Sequence, residues 1–276
     1  MRVDIDLGTA NGAAALRRDG TRLAVALALL AAGCAYPPAP EADVGRIYSY
    51  VRSNRDGSEA ETIHVYRARA DLVEVTKMRE RCTNAAFVTA TLSGGEALRL
   101  TGGRLRPGAT HEDFAELAYR DGRIEARVTM PQGELRQAVE IADRPWRLYD
   151  FDFADFAAAP PAAVRMRRDF AFGVALIWLG DDPADFLRYL GRADAHFVRA
   201  ERREGRAALR YQLGGPAFAG ALGGPLWLDA RNGFVVGAEL GRPNHAEYRD
   251  FKLRLTGLDR GAAAWKRLLE AHFEGC

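Results

Sequence analysis

The sequence predicts a mainly β protein, in which a long, curved antiparallel meander forms an open or partly closed barrel with a C-terminal helix. Three observations support this fold class. Apolar and polar residues alternate along many short segments, turn-forming dipeptides separate these segments, and a helical apolar period appears near the end of the chain. Because successive strand side chains point to opposite faces, such alternation indicates a sheet with one buried and one solvated face.

The alternation is clearest in segments 123–130, 208–213 and 250–255. In the first, apolar residues such as Ile124 alternate with charged residues such as Glu125. We expect the apolar face of each segment to pack against the core.

Four dipeptides that favour tight turns separate neighbouring strand segments. They are Gly94-Gly95, Asp121-Gly122, Glu204-Gly205 and Asn232-Gly233. Short strands joined by tight turns are typical of an up-and-down meander.

Helical patterns are scarce. Residues 260–273 carry an apolar stripe that includes Leu268, and Asp259 precedes them as a candidate N-cap. A shorter helix is predicted over 182–190, where Pro183 would occupy the first turn.

The N-terminal region has the composition of an export signal. Arg17, Arg18 and Arg22 precede the apolar run 23–32, which is too short to span a bilayer but fits the core of a signal peptide. We therefore predict a signal peptide over 1–33. Its first sixteen residues include two acids and little positive charge, so we expect the true start codon to lie near position 16.

The end of this leader resembles the lipobox of bacterial lipoproteins. The matching residues are Leu30-Ala31-Ala32-Gly33-Cys34. In that family the leader is cut before the cysteine and the thiol is acylated, so the resemblance implies a lipid on Cys34. The family prefers leucine where this chain has Ala31. Ordinary signal-peptidase cleavage, which would leave Cys34 as a plain thiol, therefore remains an alternative.

The segment 34–44 contains three prolines and is predicted to be an extended tether between the lipid and the folded body. Ala35, not aspartate, follows the cysteine. By resemblance to enterobacterial sorting, this implies a Gram-negative outer-membrane lipoprotein that faces the periplasm. A soluble periplasmic or secreted protein is the alternative.

Residues 45–276 are predicted to form a single mainly β domain. The Ala- and Pro-rich stretch 152–161 is a candidate seam between two halves of that domain. In size, leader and meander the chain resembles LolA/LolB-like envelope proteins. That resemblance implies an unclosed barrel whose concave side holds an acyl chain or a lipoprotein tail.

Two further cysteines, Cys82 and Cys276, remain if Cys34 carries a lipid. An even number of thiols in an oxidising compartment favours a disulfide between them, which would fix the C-terminal helix to the sheet. Two separate thiols are the alternative.

Motifs for catalysis or metal binding are absent from the sequence. It has five histidines without metal-ligand spacing, few serines, no nucleophile elbow and no phosphate-binding loop. We therefore predict no catalytic residue, no metal site, no cofactor and no enzymatic activity. The net charge of +2, from 39 basic and 37 acidic residues, provides no broad positive field for nucleic acid.

The acid-aromatic stretch 146–156 is the most unusual part of the body. Read as a strand, it places Asp150 and Asp152 on one face and Tyr149 and Phe151 on the other. Such a strand is either an ordinary part of the core or the wall of a ligand cavity.

The apolar run 170–179 likewise predicts a buried strand or the lining of an apolar cavity. The predicted function is to bind or carry a hydrophobic ligand or a lipoprotein at the envelope, with the membrane as partner through the N-terminal lipid. The alternative is an assembly lipoprotein that acts through protein contacts, and an envelope hydrolase is favoured least. The sequence identifies no ligand-binding residue.

Overall fold

A computed structural model describes residues 43–131, 133–179 and 185–276. The predicted signal peptide, Cys34 and nearly all of the predicted tether 34–44 lie outside these ranges.

Fifteen strands and two short α-helices make up the described fold. The strands are β1 (Arg46–Ser53), β2 (Glu61–Arg67), β3 (Leu72–Met78), β4 (Ala85–Ser93), β5 (Glu96–Arg106), β6 (Thr110–Arg120), β7 (Arg123–Met130), β8 (Gly133–Glu140), β9 (Trp146–Leu148), β10 (Phe170–Ile177), β11 (Leu187–Arg203), β12 (Arg206–Gly214), β13 (Gly224–Asp229), β14 (Val235–Leu240) and β15 (Phe251–Arg260). The helices are α1 (Ala162–Met166) and α2 (Ala262–Ala271).

All fifteen strands belong to one sheet. Strands β1 to β8 pair antiparallel in chain order, and so do β10 to β15, while the pairing of β1 with β15 joins the two runs. The short β9 adds parallel to β10, so the sheet is mixed and its edges are β8 and β9. The predicted fold class, a mainly β meander with a C-terminal helix, is confirmed, and the sheet does not close.

The four predicted turn dipeptides all connect paired strands. Between β6 and β7, Asp121 and Gly122 have φ of 50° and 82°. Positive φ at both central residues is the geometry of a tight hairpin turn that matches strand twist, which explains why this dipeptide signal predicted the hairpin.

Two details of the helix predictions are wrong. Leu187 begins strand β11 and pairs with Ile177, so the end of the predicted helix 182–190 is extended; residues 181–184 lie outside the described ranges. The C-terminal helix exists, but Asp259 still belongs to β15 and Gly261, with φ of 101°, occupies the N-cap position. Pairing with a neighbouring strand outweighed the local helical pattern at both places.

The interior of the curved sheet is filled by the segment 146–159. Its aromatic residues are almost fully buried, and they pack with apolar side chains from strands on both sides. These aromatic residues are Trp146, Tyr149, Phe151, Phe153 and Phe156.

This segment is not the alternating strand that the sequence predicted beyond Leu148. It continues as two 3-10 turns, and Asp152 and Phe153 between them both have positive φ. The Asp152 N–H bonds to the Tyr149 carbonyl within the first turn. A segment surrounded by side chains has no strand partner, so local turns satisfy its main-chain groups. The candidate seam 152–161 is accordingly buried within one compact unit.

Helix α2 packs on the outer face of the sheet. Val65 of β2 points into the interior, whereas its neighbour Tyr66 points outward and stacks on Trp265 at 5.2 Å between ring centroids. A disulfide joins Cys82 to Cys276, with Cα atoms 5.6 Å apart, and connects the end of this helical region to the β3–β4 connection. No helix in the described ranges is long and apolar enough to cross a membrane.

Removal of the disulfide should lower stability. The bonded cysteines are 194 residues apart, and closing so long a loop restricts the unfolded chain. We expect the Cys82→Ser, Cys276→Ser double variant to lose about 3–5 kcal/mol of unfolding free energy, measured by urea denaturation. Reductant should bring the wild type to the value of the variant and leave the variant unchanged. Equal stability of the two unreduced proteins would contradict this expectation.

Candidate ligand-binding cavity

An apolar cavity of about 210 Å³ lies between the inner faces of β4–β7 and the residues supplied by β9 and β10. Five of its wall positions carry residues with little or no side chain, so the sheet leaves space there. These positions are Ala86, Gly102, Gly103, Ala115 and Ala126. Leu148 and Ile177 close the opposite wall.

Two large apolar side chains at the edge of this cavity are exposed to solvent. Phe114 is 38% exposed and Leu179 is 66% exposed, and both line the cavity. Exposed apolar surface beside a concavity is typical of places where a protein contacts a ligand, a membrane or another protein.

A larger depression of about 440 Å³ lies elsewhere, on the outer face of β6–β8. Charged side chains such as Arg120, Arg127 and Arg136 line it. It is open to solvent and its lining is about half polar, so we regard the smaller, mostly apolar cavity as the candidate site.

The apolar cavity ends in three polar residues from three separate parts of the chain. Lys77 comes from β3, Asp150 from the first 3-10 turn, and His245 from the β14–β15 connection. Because Val73 and Val75 of β3 face the interior, the period of two places Lys77 there as well.

A buried ion pair holds this polar end in place. The Lys77 ammonium lies 2.6 Å from Asp152 Oδ2 and donates a hydrogen bond to the Asp150 main-chain carbonyl. Lys77 therefore connects β3 to the interior segment through two of its residues, Asp150 and Asp152.

Asp152 has two further partners. Arg52 Nη1 lies 3.4 Å from Asp152 Oδ1, and Asn244 Nδ2 donates to the same oxygen at 2.7 Å. Arg52 also pairs with Glu61 and donates to the Tyr248 hydroxyl at 3.0 Å. Buried charges are stable only when paired and hydrogen-bonded in this way.

The two acids of this turn have opposite pKa shifts. Burial raises the pKa of Asp150 to about 6. Burial acts on Asp152 as well, but the attraction of Lys77 and Arg52 outweighs it and lowers the pKa of that carboxyl. Asp152 is therefore held as a carboxylate. Asp150 is also a carboxylate at neutral pH, but burial makes its charged form less favourable than it would be in water.

Burial also lowers the pKa of His245 well below its usual value, and the nearby positive charges of Arg52 and Lys77 act in the same direction. The ring is therefore neutral at pH 7. Its Nε2 atom is buried and makes no hydrogen bond.

A second buried pair fixes the other end of the interior segment. Arg147 Nη1 donates to Asp155 Oδ2 at 2.8 Å, and Arg147 Nη2 donates to the Ala159 carbonyl at 2.7 Å. The guanidinium also lies 4.7 Å from the centroid of the Phe156 ring. This pair lies within the segment itself and does not line the cavity.

The structure brings together only some of the residues that the sequence singled out. Asp150 lines the cavity, and the run 170–179 contributes Ile177 and Leu179, whereas Asp152 lies behind the cavity wall. The disulfide of Cys82 and Cys276 belongs to the outer-face region with α2 and contributes nothing to the cavity.

Sequence reasoning missed Lys77 and His245. The inward position of Lys77 in an alternating strand was a usable signal, because lysine on an apolar face needs a partner. His245 follows Asn244 in a loop without periodicity, and nothing in the sequence marked it. Within the described ranges, no group of three or more His, Cys, Asp or Glu residues is suited to a metal ion.

No protein-family model matches the chain, and no curated protein matches it. Among solved structures, it is similar to a β-barrel-like protein of domain of unknown function DUF1849 from Brucella abortus. The two are 9% identical, with a TM-score of 0.42, and the match covers 79% of this chain and 98% of the other.

Asp150→Asn and Asp152→Asn should change stability in opposite directions. The folded state raises the pKa of Asp150, so neutral asparagine should add about 1–2 kcal/mol at pH 7.5, and this gain should shrink as pH falls from 6 to 4. The folded state lowers the pKa of Asp152, so its loss should cost about 3–5 kcal/mol at pH 7.5.

Urea denaturation of both variants at pH 7.5 and pH 4 measures these effects. Each variant serves as the control for the other, because both replace a buried aspartate of the same turn with its isostere. Changes of the same sign at pH 7.5 would show that the two carboxyls are not distinguished by Lys77 and Arg52.

Proposed function

We propose that this chain binds an apolar molecule, in the first place an acyl chain, in the cavity beneath β4–β7. The observation that carries the proposal is the apolar cavity itself, with Phe114 and Leu179 exposed at its edge. Ligand sites are typically concave, mostly apolar and supplied with a few polar groups that fix orientation. The cavity, with its apolar wall and polar end, has this construction. No catalytic role is proposed.

The size of the cavity supports this proposal. Apolar cavities of about 150 Å³ in proteins stay dry and bind benzene. The cavity here is about 210 Å³ and continues into an exposed apolar edge. Burial of each methylene group contributes about 0.8 kcal/mol, so about six of them would gain roughly 5 kcal/mol before the cost of ordering the ligand.

A bulky substitution in the cavity wall tests this function. Ala115 faces the cavity from β6, so Ala115→Trp should fill it and reduce binding of the uncharged fluorophore 1,6-diphenylhexatriene by at least about tenfold. Fluorescence titration of the purified domain measures this affinity.

The matched control is Ala118→Trp. Ala118 lies on the same strand between the inward-facing Leu117 and Tyr119, so its side chain points to the outer face. This variant should bind the fluorophore as the wild type does. Equal loss in both variants, or no binding by the wild type together with no co-purified lipid in native mass spectrometry, would contradict the proposal.

We propose further that the chain acts at the outer membrane, anchored through a lipid on Cys34. The lipobox-like leader supports this proposal, and Cys34 lies outside the described residues. The intact mass of membrane-extracted protein should correspond to a chain that begins at Cys34 and carries acyl groups. The Cys34→Ala variant should lack the added mass. Cleavage without added mass would indicate a soluble exported protein instead.

The alternative of an assembly protein that adds a partner strand has less support. The edge strand β8 exposes charged side chains, among them Glu134, Arg136 and Glu140. The side chain of Gln137 also forms two hydrogen bonds with the main chain of Leu187 in β11, so this edge is partly occupied within the chain. Charged side chains on an edge strand oppose pairing with another chain. Crosslinking in cells that recovers one specific envelope protein at this edge would favour the alternative.

A further inference from the structure

The carboxyl group of Asp150 has a free oxygen at the wall of the apolar cavity. Asp150 lines the cavity and is only partly buried. Its Oδ1 atom accepts a hydrogen bond from the main-chain N–H of Ile177 at 3.0 Å, which holds the carboxyl against another residue of the same wall. Within the described ranges, its Oδ2 atom accepts no hydrogen bond from another residue, and it is not fully buried. This oxygen is therefore available to a donor from a bound molecule.

The neighbouring ammonium of Lys77 is not the partner of this carboxyl. It donates to the main-chain carbonyl of Asp150, and its ion pair, at 2.6 Å, is with Asp152. In the part of the chain that the structure describes, no basic side chain lies within salt-bridge distance of the Asp150 carboxyl. Asp150 is thus an acid on the cavity wall without an ion-pair partner.

The charges at this end of the cavity do not balance. Arg52 pairs with Glu61, and Lys77 pairs with Asp152, so these two cations and two carboxylates offset each other. The charge of Asp150 remains. Burial raises its pKa to about 6, so the group is still ionised at pH 7.5. The free protein therefore keeps one uncompensated negative charge beside apolar surface, where such a charge is unfavourable.

This remaining charge discriminates between ligand head groups. A cationic group would offset the charge of Asp150, whereas an anionic group would add a second negative charge beside it. An N–H on the cation would also donate to the free oxygen, and hydrogen bonds between charged partners are stronger than neutral ones. The charge of Lys77 is already offset by Asp152, so it does not change the sign of this preference.

We infer that the polar group accepted by this cavity, next to an apolar chain, is a cationic N–H donor, such as a primary ammonium, that pairs with the Asp150 carboxylate. The inference rests on the proposed function and specifies its ligand class. The apolar wall would hold the chain, and the carboxylate at the polar end would hold the cation.

Competition against bound 1,6-diphenylhexatriene at pH 7.5 tests the charge of the head group. The competitors are dodecylamine, 1-dodecanol and dodecanoate, which carry chains of equal length with a positive, a neutral and a negative head group. We expect dodecylamine to bind about tenfold more tightly than 1-dodecanol, and dodecanoate to bind most weakly.

The variant Asp150→Asn removes the charge and keeps the size of the side chain and an acceptor for the N–H of Ile177. It should weaken binding of dodecylamine about tenfold and leave binding of 1-dodecanol and of 1,6-diphenylhexatriene unchanged. Because the substitution removes an unfavourable buried charge, the variant should fold at least as well as the wild type. Its binding of the fluorophore shows that the cavity is intact.

The matched control is Glu116→Gln. Glu116 also lines the cavity, but its carboxyl already pairs with Arg99 at 2.8 Å and with Arg127 at 2.9 Å. This variant should retain the wild-type preference for dodecylamine. An equal loss of that preference in both variants would contradict the assignment of the cation to Asp150.

Two further results would overturn the inference alone. One is binding of 1-dodecanol or dodecanoate by the wild type that is as tight as binding of dodecylamine. The other is an unchanged preference for dodecylamine in Asp150→Asn. Failure of the wild type to bind the fluorophore and every competitor would remove the proposed function, and the inference with it.

Discussion

The buried ion pair between Asp152 and Lys77 is the constraint on which the interior of this protein depends. A curved sheet that does not close must fill its concave side with something other than its own strands. Here one segment, 146–159, supplies the filling, and its aromatic side chains contact strands from both runs of the sheet. Such a segment has few strand hydrogen bonds of its own. The buried ion pair of Asp152 with Lys77 therefore fixes its position against β3, because a buried carboxylate is stable only where its partners lie. The pair of Asp155 with Arg147 holds the segment's own two ends together.

The cavity lies where the aromatic side chains of segment 146–159 no longer fill the interior of the sheet. Tyr149, Phe153 and Phe156 pack against aromatic rings of β10 and β15. By contrast, the inner faces of β4–β7 carry several small residues opposite Leu148 and Ile177. Interiors are normally close-packed, so a run of alanine and glycine opposite two ordinary apolar side chains leaves space. The exposed Phe114 and Leu179 continue that apolar surface toward solvent.

The structural ion pair and the polar end of the cavity share one side chain, that of Lys77. Lys77 bonds the carbonyl of Asp150 and pairs with the carboxylate of Asp152, so the residue that holds the segment also forms the cavity floor. His245 lines the same end of the cavity. Function and stability are therefore coupled here. Substitutions of Lys77 would disturb both, whereas Ala115 allows the cavity wall to be changed without touching the buried charges.

The sequence by itself determined the fold class, the main hairpins and the C-terminal helix, because alternation and turn chemistry are local properties of strands such as β6 and β7. Local patterns failed where tertiary contacts dominate. The segment after Leu148 alternates like a strand, yet it folds into 3-10 turns because no strand lies beside it. Only the tertiary structure decided that Lys77, Asp150 and His245 meet at one end of a cavity. Their chain separation is large, and the meeting depends on how far the sheet curves and on which neighbours leave space.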